Sequence, residues 1–251
     1  MKDEPLGAAH AGLEPVLIGV DEAGTRVDEL ELADAEAVVL TPAHQHPTGV
    51  ALAAERRTAL LAWMRKTGAI AIEDDYDAEY RYDRAAIGAL QGLDPDRVIY
   101  AGSASKTLAP ALRIGWLVVP PPLLQAVSHE KLLADRGTAR IEQHAFADFL
   151  TRGELDRHLR RMRARYRSRR DALVDALTET LPEATVHGVA AGLHVSLELG
   201  LREPVKQPLD LLARGHQPDR TGVAVAHQAN DDCNATPAPP GLQPHRAATS
   251  P

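Results

Sequence analysis

Short apolar runs alternate with longer amphipathic stretches along the first 120 residues. Four such runs predict strands at residues 37–40, 69–72, 98–101 and 116–119. Between the first two runs, residues 52–66 predict an amphipathic helix that ends at Gly68. Continuous apolar strands separated by helices are typical of a sheet that is buried on both faces. The pattern therefore predicts an α/β domain made of buried strands.

A different pattern follows. Residues 153–181 predict one long helix, because apolar side chains recur there at spacings of three, four or seven. Eight arginines lie within residues 157–170. The apolar stripe through the same segment favours a solvated helix face over a DNA-binding patch. Residues 185–199 then predict strands interrupted by two glycines, as at the start of a smaller α+β unit.

The last segment, residues 214–251, has six prolines and no aromatic residue. Such a composition buries too little apolar surface to offset the entropy lost on ordering. We therefore predict that this tail is disordered, and its Pro- and His-rich sequence is what a frameshift would produce.

Composition excludes several classes of protein. The chain has 251 residues, is 44% hydrophobic and carries a net charge of −7, so it lacks the positive field of a nucleic-acid binder. The sequence contains no run of about 18 apolar residues, so it predicts no membrane-spanning helix, and the N-terminus does not resemble a secretion signal. The single cysteine, Cys233, excludes a disulfide framework and a cysteine-based zinc site. We expect a cytoplasmic location.

The strongest chemical candidates follow the third predicted strand. They are the side chains of Ser103, Ser105, Lys106 and Arg113. Ligands of α/β sheets bind beyond the carboxyl ends of strands. There a lysine can form an imine with an aldehyde cofactor, while hydroxyls and a guanidinium hold a phosphate. The alternatives are a surface lysine and a nucleotide P-loop, which fits poorly because Tyr100 and Ser105 stand where glycines are needed.

An acidic cluster at residues 73–79 follows the second predicted strand. A carboxylate below a pyridine ring keeps the ring nitrogen protonated, which makes the ring an electron sink. Because side chains alternate along a strand, only one of Asp74 and Asp75 can point into such a site. The alternative is a solvated acidic turn. A calcium loop is excluded because Tyr80 stands where glycine is required.

A polar turn at residues 41–49 follows the first predicted strand and contains His44 and His46. Two histidines can suggest a metal. Without a cysteine or a well-spaced carboxylate nearby in the sequence, we predict no metal site.

Together these segments resemble the fold-type-I, pyridoxal-phosphate-dependent aminotransferases of class I/II, from about residue 10 to residue 213. The nearest likeness is to the aminotransferase-like domain of MocR-type transcription regulators. Four motifs in family order carry it: TPAHQHPTG at 41–49, EDDYDAEYRYD at 73–83, GSASKTLAPALRIGWLVVP at 102–120 and DRGTARIEQHAFADFL at 135–150.

The resemblance implies a fold. It is part of a three-layer large domain with a mostly parallel sheet over residues 1–152. A long interdomain helix and a partial small α+β domain then occupy residues 153–213, ahead of the tail at 214–251.

The resemblance also implies roles for six residues. Lys106 would bind pyridoxal 5′-phosphate as an imine and move the α-proton of the substrate, while Asp74 would face the ring nitrogen and Tyr76 the ring hydroxyl. Ser103 and Arg113 would hold the phosphate, with Ser105 close by.

The expected substrate is an amino acid or amine, and the expected assembly is a homodimer. The alternative function is a non-catalytic module of a MocR-type regulator that senses an effector and dimerises. A third interpretation is a non-functional remnant.

Two departures from the aminotransferase pattern fit the regulator branch. The chain reads Asp74-Asp75-Tyr76-Asp77 where aminotransferases have Asp-x-Ala-Tyr, and His46 stands where they have asparagine. We find no winged-helix segment, no stacking aromatic and no first phosphate loop ahead of the first motif. We also assign no substrate-carboxylate arginine, Arg220 included. The sequence therefore predicts weak cofactor binding and poor transamination.

Overall fold

The computed structural model describes residues 13–77, 79–82 and 88–199, together with the backbone of a strand at 223–227. The strands are β1 (Val20–Asp21), β2 (Gly24–Thr25), β3 (Ala37–Leu40), β4 (Ile70–Asp75), β5 (Val98–Ser103), β6 (Gly115–Val118), β7 (Ala184–His187), β8 (His194–Leu199) and β9 (Val223–His227). The helices are α1 (Val27–Leu32), α2 (Ala54–Thr67), α3 (Ala104–Thr107), α4 (Pro121–Asp135), α5 (Arg140–Thr151) and α6 (Glu154–Thr180), with a 3-10 turn at Pro110–Leu112.

The central sheet has the strand order β3-β4-β5-β6. Strands β3, β4 and β5 are parallel, and β6 returns antiparallel to β5. A parallel pair needs a crossover connection, and α2 lies within the connection from β3 to β4. The sheet confirms the predicted α/β class, and it brings the carboxyl ends of three strands to one edge.

The hydrophobic core lies between this sheet and the helices α1 and α2. Leu60, Trp63 and Met64 of α2 are buried against Val38 and Val98 of the sheet. Helix α2 ends at Thr67 and is capped by Gly68, the stop that its sequence predicts. Because α1 and α2 cover one face of the sheet, side chains on the other face of β3 and β4 point away from these helices.

Strand β6 differs from its sequence prediction. The apolar run at residues 116–119 predicts a buried strand, yet all four residues of β6 are exposed, and half of Leu117 is accessible. The reason is position, because β6 is the edge strand of the described sheet and α4 and α5 contribute no buried residue. An apolar run predicts a strand, but the run alone does not show whether another element covers that strand.

The long helix α6 is confirmed, and its arginines form a mostly solvated face. Its buried residue Tyr166 packs edge-on against Tyr80, with ring centroids 5.0 Å apart. Arg163 donates hydrogen bonds of 2.9 and 2.7 Å to the carbonyl of Glu79. Within the described ranges, no helix combines the length and the apolar character needed to cross a lipid bilayer.

A second, antiparallel sheet has the strand order β7-β8-β9. Within the segment predicted to be disordered, residues 223–227 pair with β8 as strand β9, and the disorder of residues 214–251 as a whole stays a prediction. A neighbouring strand supplies backbone hydrogen bonds that a composition argument does not count. The other residues of the predicted tail lie outside the described part of the chain, and the predicted domain boundaries stay predictions.

Candidate active site

The end of β5 passes directly into the short helix α3. Ser103 is the last residue of the strand and caps the helix, since its hydroxyl accepts a 3.1 Å hydrogen bond from the amide of Ser105. Lys106 follows in the same helical turn and is exposed. The cap therefore fixes the backbone that carries the lysine and leaves its side chain accessible.

The return of the chain along β6 brings Arg113 to the same place. After the 3-10 turn, Arg113 adopts a left-handed conformation with φ of 50°. The next residue, Ile114, accepts a 2.9 Å hydrogen bond from the amide of Ala104. Gly115 lies opposite Ser103 in the β5–β6 ladder. Backbone pairing thus brings the chain just after Arg113 next to the turn between β5 and α3, and the phosphate-binding role of Arg113 stays a prediction.

Asp74 lies at the end of the neighbouring parallel strand. In the β4–β5 ladder it is opposite Ala101, two residues before Ser103. Its carboxyl is half-buried, and burial raises its pKa, with the charges of Asp75 and Asp77 acting in the same direction. A carboxyl in that setting gains most from a nearby cation or a strong donor.

Asp75 points to the other side of β4, as strand alternation predicts. Its carboxylate accepts a 2.8 Å hydrogen bond from the hydroxyl of Tyr100 on β5. This hydrogen bond holds the Asp75 carboxylate on the face of the sheet where Tyr100 lies, so Asp74 is the carboxyl on the opposite face.

Tyr76 connects the turns that follow β3 and β4. Its hydroxyl donates a 3.0 Å hydrogen bond to the backbone carbonyl of His44. Burial raises the pKa of this phenol well above its usual range, and the charge of Asp77 raises it further. Tyr76 therefore stays protonated and acts as a hydrogen-bond donor.

A buried cluster lies next to these turns, and the sequence analysis missed it. Nδ1 of His44 lies 2.9 Å from Oδ2 of Asp77, and the ring of His194 lies 4.5 Å from that of His44. His44 and Asp77 follow neighbouring predicted strands, so their proximity could have been inferred. His194 lies more than a hundred residues further along, and no local pattern connects it to them.

Backbone contacts between the two sheets surround that cluster. The amide of Val189 donates to the carbonyl of Gly49 at 2.9 Å, and the amide of Gly192 donates to the carbonyl of Tyr80 at 2.7 Å. A Cβ atom at Gly192 would overlap with the side chains of His44 and Asp77. We call this contact region, formed by residues 44–49, 77, 79–82 and 188–194, the joint.

A groove of about 850 Å³ lies on the outside of the joint. Its walls come from the start of α2, from Arg57 and Arg81, and from residues 186–189. None of the six predicted site residues lines this groove. The candidate chemistry is therefore at the sheet edge and not in this open cavity.

Comparisons with known proteins agree with the geometry. The sequence model of the family described as aminotransferase class I and II matches residues 10–199. The HTH-type transcriptional regulator YhdI of Bacillus subtilis is 40% identical over 158 residues, which are 62% of this chain and 33% of the regulator. The pyridoxine biosynthesis regulator PdxR of Corynebacterium glutamicum is 37% identical over 152 residues, 61% of this chain and 33% of that protein.

Among solved structures, kynurenine aminotransferase of Pyrococcus horikoshii, crystallised in complex with PMP, superposes with a TM-score of 0.71 at 30% identity. The match covers 76% of this chain and 50% of the enzyme. The chain thus spans about a third of the length of the two regulators and half of the length of the enzyme.

Proposed function

Because this chain belongs to the class I and II aminotransferase family, we propose that it binds pyridoxal phosphate at Lys106 and performs aminotransferase-type chemistry on an amino acid or amine. One observation carries the proposal. The parallel register of β4 and β5 places Asp74 at the same sheet edge as the turn that holds Ser103 and Lys106.

The donor set at this edge matches the functional groups of the cofactor. The amine of Lys106 suits an aldehyde, and the guanidinium of Arg113 with the hydroxyls of Ser103 and Ser105 suits a phosphate. Asp74 suits a protonated pyridine nitrogen, because a cation next to a half-buried carboxyl favours its charged form. The residues present therefore fit pyridoxal phosphate, which supplies an electron sink when bound.

The chain's own residues then supply positioning and proton transfer. The exposed amine of Lys106 is the group that would take the proton from the α-carbon of the substrate and return it. Asp74 would hold the proton on the ring nitrogen. Tyr76 would keep its proton and lie near the ring hydroxyl, as the resemblance implies, while its own hydroxyl binds the carbonyl of His44.

Replacing Asp74 by asparagine is expected to weaken binding of pyridoxal phosphate by about 10- to 150-fold. The expectation follows from losing one charge-assisted hydrogen bond, about 1.5–3 kcal/mol. The measurement is a titration of the protein with the cofactor, followed by visible absorbance. Asp75→Asn is the matched control, since Asp75 faces Tyr100. A larger loss in Asp75→Asn than in Asp74→Asn would identify Asp75 as the ring partner.

A second candidate function is favoured by the two relatives YhdI and PdxR, both of which are HTH-type transcriptional regulators. In that case the same site senses an amine without turning it over. The two functions differ in their product. An aminotransferase converts a supplied amino acid to the keto acid. In a sensing module the amine changes the absorbance of the bound cofactor, but no keto acid is released.

We therefore expect the function to be decided by one assay with two readouts. The protein is loaded with pyridoxal phosphate, mixed with each amino acid in turn, and followed by absorbance and by keto-acid analysis. Keto acid formed by the wild-type chain and absent from Lys106→Gln supports the aminotransferase function. A spectral response without keto acid supports the sensing module, and no response to cofactor or amine contradicts both. The homodimer and the cytoplasmic location stay predictions.

A further inference from the structure

We propose that His44, Asp77 and His194 bind one divalent transition-metal ion of the zinc or cobalt type. This site lies within the joint, beside the proposed cofactor site. It involves none of the residues assigned to the cofactor.

The three side chains form a donor set suited to such an ion. Two imidazoles and one carboxylate are the ligands of many zinc and non-haem metal sites, and they favour first-row transition metals over calcium or magnesium. All three residues are buried, with exposures of 3%, 2% and 8% for His44, Asp77 and His194. Buried carboxylates are paired or coordinate metals, because a bare charge in the interior is costly.

The three donor groups lie within reach of one another. One ligand atom from each residue can be chosen so that all three lie within 4.8 Å of one another. In the tetrahedral geometry of zinc, two ligands at roughly 2.1 Å from the ion are about 3.4 Å apart. A pair of donor atoms as far apart as 4.8 Å therefore has to approach by about 1.4 Å when the ion binds. The 2.9 Å contact between His44 and Asp77 is a hydrogen bond, and its proton would be released when both atoms coordinate the ion.

The surroundings hold the ligand-bearing segments in place. Tyr76 binds the carbonyl of His44, and Tyr82 donates a 2.8 Å hydrogen bond to the carbonyl of Gly192, two residues before His194. The close approach of Gly192 to His44 and Asp77 closes the site from one side. These contacts therefore keep the three donor-bearing segments next to one another, so that side-chain rotation would complete the approach to an ion.

The proposal departs from the sequence prediction of no metal site. That prediction rested on the lack of a carboxylate at a suitable spacing near His44. The fold supplies the carboxylate 33 residues away, at the end of the adjacent strand region, and the second imidazole from β8. An ion there would connect the large sheet to the small one, so metal binding would also stabilise the joint.

The test uses the untagged 251-residue chain, stripped of metal with a chelator and prepared without cofactor. Equilibrium dialysis against Zn²⁺ with elemental analysis measures the affinity, and Co²⁺ reports ligand type through its visible absorption. The variants are Asp77→Asn and His194→Ala. His187→Ala is the matched control, because His187 pairs with Glu198 at 2.8 Å on the exposed part of the small sheet.

We expect wild-type chain and His187→Ala to bind one high-affinity equivalent of Zn²⁺ and to develop Co²⁺ bands. Loss of a ligand in Asp77→Asn or His194→Ala should weaken that site by roughly 100-fold or more. Zn²⁺ should also raise the midpoint of thermal unfolding in wild type and in His187→Ala, but not in the two site variants.

Two results would overturn the proposal: the absence of a stoichiometric site in the wild-type chain, and a Zn²⁺ affinity that is equal in all four proteins. If one site variant is shown by circular dichroism to be unfolded, the other is used for the comparison. If neither folds, the wild-type stoichiometry and Co²⁺ spectrum decide. Because the cofactor takes no part, the outcome is independent of the proposed function.

Discussion

Replacing Lys106 by glutamine should abolish the covalent retention of pyridoxal phosphate. Borohydride makes the link between a lysine amine and the cofactor aldehyde permanent, so a wild-type chain treated with both should carry the label on the peptide that contains Lys106. The glutamine variant should show only background labelling. Loss of the proton-transfer group should also lower any turnover by roughly 10²- to 10⁴-fold.

The structure offers matched controls for this experiment. Of the five lysines in the sequence, Lys66, Lys106 and Lys131 lie in the described residues. Lys66 is in the last turn of α2, and Lys131 pairs with Asp135 on α4, so neither is at the carboxyl edge of the sheet. Lys66→Gln and Lys131→Gln should label like wild type. A label that persists in Lys106→Gln and disappears in either control would show that the assignment is wrong.

Replacing Gly192 by alanine should destabilise the fold by about 2–5 kcal/mol. The added Cβ would overlap with Cε1 of His44 and Oδ2 of Asp77, both buried, so the joint has to open. Overpacking of this kind costs about 1–3 kcal/mol. The residue also has φ of +69°, which costs a non-glycine residue roughly 1–2 kcal/mol more.

Urea unfolding measures this difference, and Gly68→Ala separates its two causes. Gly68 has φ of +81°, but no atom lies within 4 Å of the position that an added Cβ would take. Its substitution therefore carries the conformational cost alone, roughly 1–2 kcal/mol. Equal losses of unfolding free energy in the two variants would mean that the joint accommodates the extra methyl group without an added cost. Zn²⁺ binding should be impaired in Gly192→Ala and normal in Gly68→Ala.

Local periodicity and strand order account for most of what the sequence could predict. Apolar runs located β3, β4 and β5, and the rule that ligands lie beyond the carboxyl ends of parallel strands pointed to Lys106 and to the acidic cluster at residues 73–79. The choice of Asp74 within that cluster came from the family resemblance. Both the strand prediction and the strand-end rule use short stretches of sequence and the carboxyl ends of neighbouring strands. They are the kind of information that a single sequence contains.

The other features of the fold and of the site depend on which distant segments are in contact, and a local sequence pattern does not contain this information. The exposure of β6 depends on what covers its face, and β9 depends on the presence of β8 beside it. His194 joins His44 and Asp77 only because the small sheet folds back onto the turns after β3 and β4. Each of these features requires a contact between residues far apart in the chain.

The same long separation sets an order of events during synthesis. On the ribosome, the turns that carry His44 and Asp77 emerge early, and the nascent chain can pair β3 with β4 as soon as residues 37–75 are available. His194 and Gly192 emerge more than a hundred residues later, after α6. Because closing so long a loop is slow and entropically unfavourable, the joint forms last. Until then, the side of the turns that Gly192 covers in the finished fold is open to solvent, and a nascent chain arrested before residue 192 should be cleaved there by a protease that spares the released protein.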